Sequence, residues 1–277
     1  MSSALEIIIP LRNPGAELAS TVASLTSQTD RDFGVLLSDN FSTTGIDSVM
    51  AAQKQLVAAG IAIHCVKPPF ELRRIEHWNW AHAQSRAEWL KPLPPGGVLK
   101  PSYVEQLKQR LSQQPKAQIV RCDFEIESAG KDSRDNAPFP SAQPSLTPVE
   151  FLQYFPARME WIAVCVNMAY RRTAWLAAGG YCPQLPGCAS LNLNVTLALH
   201  HGLENLPETL ATMALDRPFF LNDAAAARVN LPLELWLILR QARNYCLAAK
   251  LPWAKKWLLP AGIIAAMGRR GRHIYGR

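Results

Sequence analysis

Leu5-Glu-Ile-Ile-Ile-Pro-Leu-Arg12 and Phe33-Gly-Val-Leu-Leu-Ser-Asp-Asn40 are the two stretches whose reading decides the fold. Leu5 to Ile9 is a short apolar run rich in β-branched residues and closed by Pro10, the pattern of a strand buried on both faces. Asn13-Pro14-Gly15 forms a turn. Ala16 to Gln28 carries Leu18, Val22 and Leu25 on one helical stripe, which Thr29-Asp30-Arg31-Asp32 breaks. Phe33 to Leu37 is a second buried strand that runs straight into Ser38-Asp39-Asn40. Strand, helix and strand in this order imply a parallel sheet, and such sheets bind ligands at the carboxyl ends of their strands. Asp39 stands at such an end.

The residues Ile-Ile-Pro-Leu-Arg-Asn, then Leu-Thr-Ser-Gln-Thr-Asp-Arg-Asp-Phe, then Leu-Leu-Ser-Asp-Asn-Phe-Ser-Thr resemble the opening of the family-2 glycosyltransferases of the GT-A fold. The likeness extends over roughly residues 4–215. It implies an α/β fold of GT-A (Rossmann-like) type, a mostly parallel central sheet flanked by helices, with a C-terminal helical extension. The change in charge and pattern near residue 230 divides the chain into a GT-A glycosyltransferase-like domain, 1–230, and a basic amphipathic helical tail, 231–277. The resemblance also implies a nucleotide-diphosphate sugar as donor, with Pro10, Arg12 and Asp39 in the loops that hold a uridine- or guanosine-type base.

Further along, Gly45 to Ala59 reads as a helix ended by Gly60, and Ile61 to Val66 as a third strand. The stretch from Phe70 reads as a helix leading into a strand near Trp89. Asn79, Glu88, Trp89, Leu90 and Leu93 match the family's pattern there, which makes Asn79 a candidate nucleotide contact. Arg73 and Arg74 are candidates for the diphosphate; the bland alternative is a solvated basic face.

Three places depart from the resemblance. The family's strand ends in an acidic cluster that holds Mg²⁺ or Mn²⁺, whereas Leu93-Pro94-Pro95-Gly96-Gly97-Val98-Leu99-Lys100-Pro101 contains no acid. Hard cations need oxygen-rich carboxylate sites, so no metal and no other cofactor is expected. After Gly179-Gly180-Tyr181, Cys182 and Pro183 stand where acids are usual. The following helix, read over Ser190 to His201, offers Ser190, Asn192 and Asn194 where the family has its catalytic base, and an amide accepts no proton at neutral pH. Two readings follow. In the first, a metal-independent transferase moves a sugar to a glycan or lipid-linked acceptor. Lys91, Lys100, Arg73 and Arg74 compensate the diphosphate charge, and Glu160, just ahead of a strand read over Trp161 to Tyr170, serves as base. In the second, an inactive GT-A scaffold acts as a partner or regulatory subunit.

Composition bounds these readings. The chain has 277 residues and 48% hydrophobic content, enough for one large core or two small ones. Six cysteines, at 65, 122, 165, 182, 188 and 246, form no C-x-x-C pair and read as buried small hydrophobes in a reducing cytoplasm. No apolar run reaches a membrane span and no signal peptide is recognisable, which points to a cytoplasmic protein, peripheral on the inner face of the membrane if bound there. The net charge of +7 is segregated: from Leu231 onward nine Lys or Arg face only Glu234. Residues 252–277 set tryptophans beside lysines, a short greasy run and an arginine cluster. That pattern fits an anionic membrane surface, or else a terminal helix docked on the domain with a solvated basic end. Nucleic acid is not expected, since the aromatics do not interleave with the basic residues.

Overall fold

The computed structural model of the chain describes residues 4–127, 143–155, 162–214 and 231–248. Among the described residues, nine strands form one sheet. They are β1 (Leu5–Leu11), β2 (Gly34–Asp39), β3 (Ala62–Val66), β4 (Trp89–Pro92), β5 (Gly97–Leu99), β6 (Ile119–Glu127), β7 (Ser145–Leu146), β8 (Met168–Arg171) and β9 (Leu203–Ala214). Within the same described residues, eight helices accompany them: α1 (Glu17–Thr26), α2 (Ile46–Ala58), α3 (Arg74–Gln84), α4 (Tyr103–Gln113), α5 (Pro148–Tyr154), α6 (Arg172–Ala177), α7 (Ala189–His201) and α8 (Leu231–Ala248). The sheet order is β3-β2-β1-β4-β8-β6-β9-β5, with β7 paired to β9.

Strands β3, β2, β1 and β4 run parallel to one another. Strand β8 lies antiparallel to both β4 and β6, so β6 and its parallel neighbour β9 share the direction of the first four. The sheet is therefore mostly parallel, with β5, β7 and β8 reversed.

Side-chain alternation divides the core. Ile7, Ile9, Val35 and Leu37 face one layer with Leu18, Val22 and Leu25 of α1 and Leu107 of α4. Ile8, Leu36 and Leu90 face the other, with α3, α5, α6, α7 and α8. Burial on both faces explains why β1 and β2 read as continuous apolar runs rather than alternating ones. Pro10 is tolerated because it lies beyond Ile8, the last β1 residue paired with β4, where its missing N–H removes no bond between those strands.

Two expectations change. The strand read from Trp161 shrinks to Met168–Arg171, and residues 162–167 form irregular backbone that ends in a turn. The backbone there is held from outside a ladder: the Lys91 ammonium reaches the carbonyls of Val166 and Met168, and Asn167 bonds to Cys122 across β6. In addition, α8 is no detached tail. Leu235, Ile238, Leu239 and Ala242 belong to the same core as α3 and α7.

Candidate functional site

The tips of β1 and β2 carry two interlocked loops. Asn13 and Phe41 both adopt left-handed backbone, with φ of 48° and 56°. The Asn13 side-chain oxygen accepts from the backbone N–H of Thr43 at 2.8 Å and of Thr44 at 3.1 Å, while the Asn13 N–H donates to the Ser42 hydroxyl at 2.8 Å. Gly45 closes this knot at φ 74°; a Cβ there meets the Pro14 carbonyl at 2.0 Å, so only glycine fits. Asp39 Oδ1 accepts from the Ser42 N–H, three residues on, at 3.2 Å, which ties its carboxylate to the turn at the tip of β2.

Next to Asp39, buried Asn40 clamps a second segment. It donates to the Leu72 carbonyl at 2.8 Å and accepts from the Leu72 N–H at 2.9 Å. The clamp lays Phe70 to Arg73 beside the strand tips and brings Glu71 to Arg12 at 2.6 Å. Both partners of that pair are about half exposed, so it contributes little to stability. Lys67 sits over the Phe41 ring, 4.1 Å from its centroid.

Below this mouth, the Ser38 hydroxyl and His77 Nε2 lie 2.8 Å apart. Burial pushes the His77 pKa down to about 4; Asp39 opposes that shift and Arg12 adds to it. Arg12, Asp39 and His77 therefore share one electrostatic environment at the carboxyl end of the sheet. His77, Asn40, Asn13 and Lys67 were missed in the sequence. The only available signals were the asparagine beside Asp39 and the left-handed turn that Asn13-Pro14-Gly15 foreshadows.

The remaining candidates are scattered. Pro10 is buried at the end of β1, and Arg73 is exposed at the start of α3. Arg74 turns away from the mouth and donates to the Pro186 carbonyl at 2.8 Å. Asn79 is a strut: its side-chain amide donates to the Tyr181 carbonyl at 2.7 Å and its oxygen accepts the Tyr181 N–H at 2.8 Å.

Lys91 is wholly buried inside the sheet, bonded to the carbonyls of Val166, Met168 and Pro92, with its Nζ 5.1 Å from the Tyr103 ring centroid. Burial lowers its pKa to about 8. Contrary to expectation, it holds backbone rather than a diphosphate. Lys100 is displaced too. Its loop starts with the Gly96 N–H bonded to the Glu17 carbonyl and Thr21 hydroxyl near the start of α1. It ends with the Lys100 carbonyl bonded to Gln28 just past the C-terminus of α1. The four steps from Gly96 to Lys100, about 13 Å when extended, thus carry the chain toward the C-terminal end of α1 and away from the strand tips. Glu160 lies outside the described residues.

The acid-free stretch Leu93 to Gly97 packs tightly against α1, with Leu93, Pro94, Gly96 and Gly97 all buried. Among the described residues, no group of three or more His, Cys, Asp or Glu side chains is placed to hold a metal ion. Asn194 of α7 is fully buried, accepting from the Tyr170 hydroxyl at 2.7 Å and donating to the Ile162 carbonyl at 2.6 Å, so it serves the core. The carboxylate that does reach the start of α7 is Glu234 of α8. Its Oε2 accepts from the N–H groups of Gly187 and Cys188, each at 2.9 Å.

This α/β architecture, with a mostly parallel sheet whose strand tips carry the polar mouth, is that of the GT-A glycosyltransferases. No protein-family profile and no curated protein sequence matches the chain. Solved structures do. Residues 1–349 of S. aureus TarS in complex with UDP-GlcNAc superpose with a TM-score of 0.70 at 11% identity, over 100% of this chain and 76% of that one. The mannosyltransferase PcManGT from Pyrobaculum calidifontis, in complex with GDP-Man and Mn²⁺, gives 0.62 at 16% identity, over 97% and 76%. GalNAc-T7 with UDP, GalNAc and Mn²⁺ gives 0.55 at 13% identity, over 76% and 43%. At these identities the likeness establishes the fold.

Proposed function

We propose that the chain binds a nucleotide-diphosphate sugar at the tips of β1 and β2 and transfers the sugar to a glycan or lipid-linked acceptor. The observation that carries this reading is the convergence of Arg12, Asp39 and the Asn40-clamped Phe70–Arg73 segment on one mouth. The complexes of TarS with UDP-GlcNAc and of PcManGT with GDP-Man support a donor of this class. Asp39, fixed by its turn, is the group that meets the base, beside Pro10. Arg12 swings from Glu71 to the diphosphate, joined by Arg73 and by Lys67, both exposed and close by in the chain. These cations take the part that Lys91 and Lys100 cannot reach.

Departure of a diphosphate needs its developing charge met by fixed positive groups, which arginines supply without a metal. The acid-free, packed loop after β4 favours that metal-independent route, with Glu160 as the proposed base. The same loss of acids also favours the second reading, an inactive scaffold. Calorimetry with UDP- and GDP-sugars in EDTA separates them. Micromolar binding, lost in Arg12→Ala and Asp39→Asn, together with transfer or slow hydrolysis insensitive to EDTA, is the expected result. Binding or turnover that appears only with Mg²⁺ or Mn²⁺ defeats the metal-free mechanism, and absence of any binding favours the scaffold.

A further inference from the structure

The two faces of α8 differ sharply. Leu235, Ile238, Leu239 and Ala242 are buried in the core, and Glu234 pins the first turn to Gly187 and Cys188. On the opposite face, at helical spacing, stand Leu233 at 49% exposure, Trp236 at 52% and Leu237 at 36%. A large indole half in water on a helix already docked by its other side has no structural role in the core. Arg240 stacks its guanidinium 5.5 Å from the Trp236 ring centroid, and Arg243 continues the same exposed face. Among the described residues, α8 itself carries no carboxylate on that face, its Glu234 being turned to Gly187 and Cys188.

The geometry points to this face of α8 as a docking surface for an anionic lipid bilayer. Tryptophan and leucine insert at the boundary of headgroups and acyl chains while arginines meet the phosphates, the division of labour of an interfacial helix. Three apolar side chains make a weak anchor alone, and stable attachment takes a second signal. The chain supplies one directly downstream. Residues 249–277 add Lys250, Lys255, Lys256, Arg269, Arg270, Arg272 and Arg277 with no Asp or Glu. Such a polybasic segment is drawn to anionic lipid and only within a Debye length of it. A second copy of the chain fits the face less well, because a two-fold contact would gather the arginines of both copies in one interface with no carboxylate of α8 there to pair them. The anchored helix end is also tied to the proposed site: the loop that Glu234 holds is the one Arg74 bonds through Pro186, and Arg74 begins the helix that follows the clamped Phe70–Arg73 segment.

The test uses the full chain and vesicles of phosphatidylcholine, with and without phosphatidylglycerol, in a sedimentation assay. The chain is expected to partition onto the anionic vesicles only, and to be released by raised salt. Trp236→Glu combined with Leu237→Glu is expected to weaken partition roughly tenfold or more. Arg240→Glu combined with Arg243→Glu, which leaves the apolar residues intact, is expected to weaken it similarly while the thermal midpoint stays unchanged. Equal binding to neutral vesicles, no binding to either, or full binding by both variants overturns the inference. So does a concentration-dependent dimer in sedimentation velocity that the Trp236 and Leu237 changes abolish, which would give the face to a second copy. Partition is read without donor, so it stands or falls apart from nucleotide binding.

Discussion

Ser38 and His77 join the tip of β2 to α3, and a second histidine, His82, sits deeper in the same helix. His82 Nδ1 lies 2.7 Å from the Trp78 carbonyl, between the rings of Trp78 and Trp175. Burial holds both imidazoles neutral, with pKa values of about 4. In the unfolded chain each returns to its ordinary value near 6.5. Between 6.5 and 4 the unfolded form takes up protons that the folded form refuses, so stability present above pH 6.5 is lost as pH falls toward 4. A shift of this size corresponds to roughly 3 kcal/mol per histidine when complete. Urea midpoints between pH 7.5 and 4.5 should fall steeply, and His77→Gln, whose amide nitrogen stands near the Nε2 position that meets Ser38, should flatten that slope. A midpoint indifferent to pH across this window contradicts the assignment. The sequence announces Asp39, because a carboxylate closing an apolar strand is visible in one dimension. It does not announce His77, which reaches the tip of β2 only once α3 folds back over it.

At the scale of elements, the strands and helices of the first ninety residues were legible because each has a strong period and punctuated ends. Lys91 was misread for a physical reason. A strand covered on both faces buries every side chain, so neighbourhood to a loop says nothing about access to it. Lys100 was misread because a three-residue strand with no period of its own carries it toward the far end of α1. Asn79 matched a family position, yet its work is to hold the turn after α6. Gly180 in that turn has φ 71°, and a Cβ there meets Asn79 Oδ1 at 2.6 Å and Trp175 Cζ2 at 2.7 Å. Gly180→Ala therefore combines left-handed strain with a double clash and is expected to destabilise by about 2 kcal/mol or more. Asn79→Ala strands the Tyr181 N–H and carbonyl and should cost about 1–3 kcal/mol. Chemical denaturation measures both, and donor calorimetry completes the test. Loss of donor affinity at unchanged stability in Asn79→Ala would return that residue to the nucleotide site.

Over the whole molecule, the sheet is a wall with one helical layer on each side, and α8 is built into the layer that also carries α3 and α7. The sequence suggested a boundary near 230, because charge and pattern change there. Composition detects such a shift; it does not detect that Leu235, Ile238 and Leu239 complete a core assembled from residues far earlier in the chain. Burying three such side chains is worth about 1.5–3 kcal/mol each as an upper bound, and the Glu234 bonds to Gly187 and Cys188 add to it. The sum is comparable with the roughly 5–15 kcal/mol that holds a typical domain together. A chain cut after residue 230 is accordingly expected to lose its cooperative thermal transition or aggregate. One cut after residue 248 keeps α8 and should melt within a few degrees of the full chain, while losing the basic segment that the bilayer inference needs. If the shorter chain melts cooperatively at the full-length midpoint, α8 is an appendage and the boundary at 230 is a true domain limit.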